Sequence, residues 1–566
     1  MKSISGKYWE EIKTEKRLVD KVKIDHNLNT FQAKLIINRN FTEEELLSIS
    51  NNISLTNPFL KKRDFLSACE LLKIHITKKN KILIIGDYDV DGCLSTVLMV
   101  NFLKKNQAKV KYFIPDRLKD GYGASEKLIR KLISSHKPEL IIFLDCGSNS
   151  YNAIKFINSK NISSLIIDHH NINKPYPSSD IIINPKKICD YNKHDYLCTV
   201  FLTYLFIDLY IKKNKLKISI KGDQIYVLIA TVADVMPIRG INRFLALNVI
   251  NNFDVNKNFI LSNLFNLLNV KKRLELDDLA YLIAPILNSA GRLSNANQIV
   301  ELFTSQSDNI KIKILQKIFD LNKKRKLIEK RFLLNFQFDD LHKFKGVLFI
   351  YEPNIPEGII GIIASRIKDY YNRPCIVLTN SNNIIKGSAR STLNFNIGKF
   401  INNALDEKII LSGGGHNLAA GVSLLKSKIQ IFKKFINKNY EKNAPLPINY
   451  YTSKILPNSI NKKLINEVKI LGPFGNKNIN PIFLIENVKI VKPKIINERF
   501  ISCLIKYDNK FIKAMSFNHL NTKISYELLN SKNNFDILVN IKENEWNNKS
   551  VIEVEIIDLI ININKT

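Results

Sequence analysis

The chain has 566 residues, 45% of them apolar and 24% charged, the balance of a folded chain of several domains and not of a disordered one. Lysine and arginine number 85 against 52 aspartates and glutamates, a formal net charge of +33; this fits a polyanionic partner such as nucleic acid, and equally fits drift toward lysine in an A+T-rich coding sequence. No run approaches the ~18 uncharged apolar residues of a membrane-spanning helix, and the opening MKSISGKYWEEIKTEKR has no apolar leader core, so a cytoplasmic protein without membrane contact is expected.

In chain order, residues 1–75 read as an N-terminal segment of helix and loop. Short apolar runs then alternate with helical stretches: KILII from Lys81, VKYFI from Val110, LIIFL from Leu140, LII from Leu165 and III from Ile181. This alternation predicts a doubly wound α/β domain with a largely parallel sheet over 76–300. In such sheets ligands bind at the carboxyl ends of the strands. Asp87, Asp89 and Asp91 stand after the first run, Asp116 after the second, Asp145 after the third and Asp168-His169-His170 after the fourth. One acid at a strand end is usually a turn residue or a helix cap, but four sets on one edge are not explained that way.

GDYDVDG places three carboxylates at alternating positions, with Gly92 to let the chain turn into a helix. It lacks the closing glutamate of an EF-hand. No lysine or arginine is interleaved to relieve the repulsion, so a divalent cation is the natural resident. Asp168-His169-His170 adds imidazoles, a mixed donor set that suits Mn2+ better than Mg2+ without excluding Mg2+.

From Ile211 to about Phe336 the pattern is mostly helical. It includes TVADVMPIRGINR and APILNSAGRLSN, then a connecting helix over 301–343 with Ile314, Leu315, Ile318, Phe319, Leu327, Ile328 and Phe332 on one face. A second α/β unit is expected over 344–445, containing GIIGIIASRI as a buried helix, then KGSARS and GGGH. Lys386, Ser388, Arg390 and Ser391 offer donors suited to a phosphate, Gly413-Gly414-Gly415 lets backbone amides approach an anion, and His416 can donate to it. Alternating segments after Asn443 predict a small barrel over 446–566, with Tyr507, Phe511, Phe517 and Trp546 as aromatic residues for its core or for stacking on bases. Seven scattered cysteines, Cys189 among them, form no CxxC pair, which excludes a thiolate zinc site and a disulfide framework.

DYDVDG, LDCGS, DHH and ADVMP, in this order and at these separations, resemble the DHH phosphoesterase superfamily. PDRLKDGYG, LNSAGRL, KGSARS and GGGHNLAAG are similar to its RecJ branch of single-strand-specific 5′→3′ DNA exonucleases. The resemblance implies a DHH domain, a substrate-binding DHHA1 domain and an OB-like C-terminal domain. It implies two divalent cations, Mn2+ or Mg2+, held by Asp89, Asp91, Asp145, His169, His170 and Asp234, with Asp87 and Asp168 as auxiliary groups. Arg292, Lys386, Ser388, Arg390, Ser391, Gly414, Gly415 and His416 are then expected to meet substrate. The implied activity is two-metal hydrolysis of single-stranded DNA from a 5′ end, releasing 5′-mononucleotides in repair and recombination. A monomer is expected, with a single-strand-binding protein or a helicase as candidate partner.

Two departures stand out. Pro356 and Glu357 precede Gly358 where a histidine is usual, and Thr199 and Phe201 stand where glycine is common, a change expected to repack a helix without touching the chemistry. Three competing readings fare less well. Phosphoesterases of short oligonucleotides or cyclic dinucleotides are shorter and lack the C-terminal domain, a noncatalytic strand-binding scaffold would have lost metal ligands, and a pyrophosphatase fits neither the charge nor the extra domain.

Overall fold

The computed structural model is described over residues 1–50, 55–117, 120, 123–187, 192–335, 346–381, 383–440, 448–497, 500–517, 522–530, 533–546 and 549–561. Leu118, Lys119, Gly121 and Tyr122 of PDRLKDGYG lie outside these residues, as do Cys189 and the side chain of Trp546. The N-terminal segment is helical for the most part but opens on a strand that the sequence pattern did not reveal, β1 (Tyr8–Glu11). Its partner is the first strand of the C-terminal unit, and Trp9 on β1 is buried, its indole N–H donating to Asp558 at 3.1 Å.

Five strands follow: β2 (Lys81–Gly86), β3 (Lys109–Phe113), β4 (Leu140–Leu144), β5 (Ser163–Ile167) and β6 (Ile181–Ile183). They are all parallel, in the order β3-β2-β4-β5-β6. β2 and β4 are apolar almost throughout, and β5 is buried beyond its first residue, because helices cover both faces; β3 is an edge strand, half exposed, and so reads as alternating. The chain leaves β2 for β3 on one side and reaches β4 on the other. The carboxyl end of β2 is therefore the switch point where a crevice must open.

The connecting helix Asp308–Asn335 runs for 28 residues. Ile314, Leu315 and Ile318 are buried on the first unit, while Ile328 and Phe332 pack on the second. Leu327 is 54% exposed and does not share that face: the helix changes partner midway, so its apolar stripe shifts and Leu327 falls outside both contacts.

The second unit is a mixed sheet of β7 (Leu348–Tyr351), β8 (Cys375–Ser381), β9 (Ile384–Arg390), β10 (Ser412–His416) and β11 (Ala419–Leu424), ordered β10-β11-β9-β8-β7. Only β7 and β8 are parallel. The helix Glu357–Tyr371 buries Ile359, Ile360, Ile363 and Ile367.

The last unit contains β12 (Ile448–Tyr451), the parallel partner of β1. It continues with β13 (Ser453–Lys454), β14 (Phe483–Ile496), β15 (Phe500–Tyr507), β16 (Lys510–Phe517), β17 (Asn534–Trp546) and β18 (Lys549–Ile561). β14 pairs with both β15 and β17, and β16 with β18, so the sheet closes into a barrel. Phe483, Ile501, Phe535, Ile537 and Ile556 fill it. Of the aromatic residues singled out, Tyr507 packs against this core, Phe517 lies against Phe500 with centroids 5.5 Å apart, and Phe511 is 54% exposed.

Candidate metal and phosphate site

The acidic motif takes its shape from close packing at the end of β2. Asp89 caps the helix Val90–Lys105, its side chain accepting from the Gly92 amide at 3.0 Å. A Cβ on Gly92 would lie 2.5 Å from the Asp87 backbone, so only glycine lets the helix begin this close to the strand. Asp145, at the end of β4, has a left-handed backbone (φ +63°), a conformation Asp tolerates better than most residues and one that recurs at functional sites.

Another helix holds Asp91. The amides of Thr199 and Val200, at the start of the helix Thr199–Lys213, donate to its two carboxylate oxygens at 2.8 and 2.9 Å, the usual attraction of a helix N-terminus for an anion. The Thr199 hydroxyl donates to Asp145 at 2.9 Å. The expectation that Thr199 only repacks a helix is therefore corrected: it touches two of the acids directly. Phe201 is fully buried and stays within the packing.

The histidines come from the end of β5. Asp168 accepts from the backbone amides of His169, His170 and Ser148, and pairs with His170 Nδ1 at 2.8 Å, which fixes the His170 ring. His169 Nε2 lies 3.4 Å from Asp145, 3.4 Å from Asp234 and 3.8 Å from Asp91. Among the described residues three sets can hold a metal, each with donor atoms within 4.8 Å: Asp145, His169 and His170; Asp91, His169 and Asp234; Asp87, Asp89 and Asp145. Asp87 thus stands in a donor set, whereas Asp168 acts on His170. Asp116, the acid beyond β3, is in none of the three; its backbone amide donates to Asp120 at 2.9 Å.

The electrostatics are those of a site short of positive charge. Burial, then the neighbouring carboxylates, pushes Asp87, Asp91, Asp145 and Asp234 above the ordinary carboxylate range. Burial likewise lowers His169 to about 3, helped by the charge on His170, and keeps it neutral. For His170 burial works the other way but loses to the Asp168 hydrogen bond and charge, which raise it to about 9. Asp87 Oδ1, His169 Nδ1 and Asp234 Oδ2 are buried without a hydrogen-bond partner. Orphaned carboxylate oxygens beside neutral imidazole are the donor set a hard-to-borderline divalent cation takes, so the residues fit Mn2+ or Mg2+.

Opposite the acids, at the seam between the two α/β units, lies a group of guanidiniums. Arg292 donates to the Gly358 carbonyl at 3.0 Å, where the helix Ala284–Leu293 meets Glu357–Tyr371. Burial, then Arg117, Arg325 and Arg390, lowers it to about 10, with Asp89 acting the other way. Lys386, Ser388 and Arg390 alternate along β9 and share one half-exposed face, and Arg390 donates to the Ser388 hydroxyl at 3.0 Å. Arg117 Nε lies 3.9 Å from Glu357, beyond hydrogen-bond distance and without a hydrogen-bond partner, and the guanidinium is 5.3 Å from the Tyr88 ring centroid. His416 is lowered by burial and by the charges of Arg390 and Lys186; Lys186 also acts on His169 and Asp234, so it sits between the two charge groups. Gly414 and Gly415 lie on β10 at the sheet edge. Ser391 is not brought to this face: it is buried and donates to the Phe395 carbonyl at 2.5 Å. Sequence reasoning missed Arg117 and Lys186, although PDR directly after a strand was a usable signal for the first.

Comparison with known proteins covers all three units. Residues 81–232 match the DHH family N-terminal domain, 344–442 the DHHA1 domain and 452–558 the RecJ OB domain. The single-stranded-DNA-specific exonuclease RecJ of Bacillus subtilis is 26% identical over 98% of this chain and 71% of its own length. The Haemophilus influenzae protein of the same name is 28% identical over 81% of this chain and 84% of its own. The crystal structure of RecJ from Thermus thermophilus in complex with Mn2+ superposes with a TM-score of 0.82 at 20% identity, covering 98% of this chain and 79% of that one.

Proposed function

The chain belongs to the DHH phosphoesterase superfamily, in its RecJ branch, and we propose that it is a single-stranded-DNA-specific exonuclease that works from the 5′ end and releases 5′-mononucleotides. The observation that carries this reading is the pairing of three donor sets, two of acid with imidazole and one of three carboxylates, with a group of arginines across one seam. Asp89, Asp91, Asp145, His169, His170 and Asp234 hold two divalent cations, Mn2+ or Mg2+, with Asp87 beside them. What such cations supply when bound is a more acidic water and positive charge against the non-bridging phosphate oxygens.

The protein's own groups do the positioning. Thr199 and the helix amides hold Asp91 and Asp145 in place, and Asp168 holds the His170 ring. His169 is neutral, so one of its ring nitrogens keeps a lone pair for a cation. Arg117, Arg292 and Arg390 grip the phosphate at the 5′ end, with Ser388 and His416 at its margin, which sets the scissile bond against the acids. Duplex DNA is excluded because the reacting phosphate must reach a seam between two packed units. The barrel, with Phe511 exposed on it, holds the trailing strand. The protein acts as a cytoplasmic monomer in repair and recombination, on strands delivered by a helicase or a single-strand-binding protein; among the described residues no helix is long and apolar enough to cross a membrane.

Purified protein is incubated with 5′-phosphorylated single- and double-stranded DNA, with Mn2+, Mg2+ or chelator. Stepwise release of 5′-mononucleotides from single strands alone, halted by chelator, is the expected result. Equal attack on duplex, or release from the 3′ end, would overturn the reading.

A further inference from the structure

Asp234 is the last acid of the site, and the backbone beyond it is held in an unfavourable shape by residues from another unit. It ends the helix Gln224–Ala233, and the next residue, Val235, has φ +56°. Helices often end with a left-handed residue, but that residue is normally glycine, because a β-branched side chain clashes there. Val235 gains nothing from burial to offset this, since it is 64% exposed. A conformation of this kind persists only where its surroundings over-determine it.

Part of those surroundings is the helix end itself, where the Val235 and Met236 amides donate to the Val232 and Thr231 carbonyls at 3.1 and 2.9 Å; the rest is the turn Gly472–Asn478, within the C-terminal unit. Asn476 donates from its side chain to the Val235 carbonyl at 2.5 Å and accepts from the Ile238 amide at 2.8 Å through its own carbonyl. It thus clasps both ends of the Val235–Ile238 loop. A Cβ on Gly475 would lie 2.7 Å from Ile238 Cγ1, so the turn can seat this closely only with glycine there. The turn is itself fixed: Gly475 and Asn478 exchange backbone hydrogen bonds at 2.9 and 3.1 Å, and buried Arg243 donates to the Gly472 carbonyl at 2.7 Å. On the far side of the loop Glu45 binds Arg239 through both oxygens, at 2.8 and 2.6 Å, and the Gly240 amide at 2.7 Å.

We infer that Asn476 and Gly475 are positioning residues for the metal site: the C-terminal unit holds the Val235–Ile238 loop in its strained form and thereby aims the Asp234 carboxylate at His169. The inference rests on the reading of Asp234 as a metal ligand. It gives the C-terminal unit a second task beside gripping DNA, because seating the unit completes the donor set.

The test is Mn2+ binding to the full-length protein by calorimetry, with kcat, KM for single-stranded DNA and thermal stability measured alongside. Asn476→Ala and Gly475→Val are expected to weaken Mn2+ binding about 10-fold, the usual effect of losing a partner that orients a ligand. They should lower kcat and leave KM for DNA unchanged. Adding Val235→Gly to Asn476→Ala should recover most of the Mn2+ affinity, since glycine keeps φ positive without help. Unchanged Mn2+ affinity in both single variants, or no recovery with Val235→Gly, would overturn the inference. Asp234→Asn separates the two levels: if it too binds Mn2+ like the parent protein, the reading of Asp234 as a ligand fails, and the positioning role fails with it.

Discussion

On the acid side of the seam, three buried aspartates and half-buried Asp234 stand beside one another with their proton affinities raised, and three buried polar atoms have no hydrogen-bond partner. On the arginine side, Arg292, Arg390 and Arg117 crowd one another, but each has some compensation: a carbonyl for Arg292, a hydroxyl and a carbonyl for Arg390, and Glu357 with the Tyr88 ring for Arg117. Both sides store like-charge repulsion, to different degrees. Helix amides, the Thr199 hydroxyl and His170 relieve the acid side only in part, so it calls for resident cations. The arginine side is tolerable when empty and gains when a phosphate arrives. A binding site can thus be told from a cofactor site by how far the protein has neutralised it in advance.

The largest break in this comparison is Asp145→Ala. It removes an acid common to two of the three donor sets, and hydrolysis is expected to fall by orders of magnitude while the variant still binds single-stranded DNA in a gel-shift assay. Without metal its melting temperature should be no lower than that of the parent, because a repelling charge has gone. Substantial residual activity would break the two-cation assignment.

Next is Arg390→Ala. Loss of a charge-assisted contact costs about 1.5–3 kcal/mol, read as weaker binding of 5′-phosphorylated than of 5′-hydroxyl strands relative to the parent protein. Mn2+ affinity should not change. An equal loss on both ends would place Arg390 along the strand and not at its terminus.

A smaller effect, of a few degrees in melting temperature, is expected from pH in the metal-free protein. Asp87, raised to about 8, binds a proton in the folded state that it releases when unfolded, and His170, raised from 6.5 to about 9, does the same. Each such group makes stability fall as pH rises. His169, lowered to about 3, is neutral in both states above 6.5 and does not oppose them there. Between pH 6.5 and 8 the metal-free protein should therefore lose stability, and the gain on adding Mn2+ should grow. A melting temperature that rises over this window would contradict the picture of an acid side awaiting cations.

The smallest effect is expected from Phe511→Ala on the barrel. If the exposed ring stacks on a base, affinity for long single strands drops by about 1 kcal/mol, with Mn2+ affinity and 5′-end discrimination unchanged. Full affinity on long strands would move stacking to another residue.

Much of the acid side was legible in the sequence because strand ends in a parallel sheet are set by short apolar runs, and Asp87, Asp145 and Asp168 directly follow such runs. What holds them was less visible. Thr199 looked like a packing change, yet its amide and hydroxyl reach Asp91 and Asp145, a contact between residues far apart in sequence. Arg117 was hidden because its neighbours Glu357, Arg292 and Arg390 come from other elements. Ser391 was misplaced because alternation along β9 stops at Arg390, and the next side chain turns to Phe395. β1 escaped notice because a four-residue strand with one buried position has almost no periodic signal, and Leu327 because a helix that changes partner does not keep one stripe.

The most direct measurement is a crystal structure of the Asp145→Asn protein, chosen to slow cleavage, grown with Mn2+ and a short 5′-phosphorylated single strand, with anomalous scattering recorded for manganese. Anomalous peaks among Asp87, Asp89, Asp91, His169, His170 and Asp234, with the 5′-phosphate against Arg117, Arg292 and Arg390, are what the account predicts. Manganese bound away from these side chains, or a 5′-phosphate lying elsewhere than on the arginines, would contradict it.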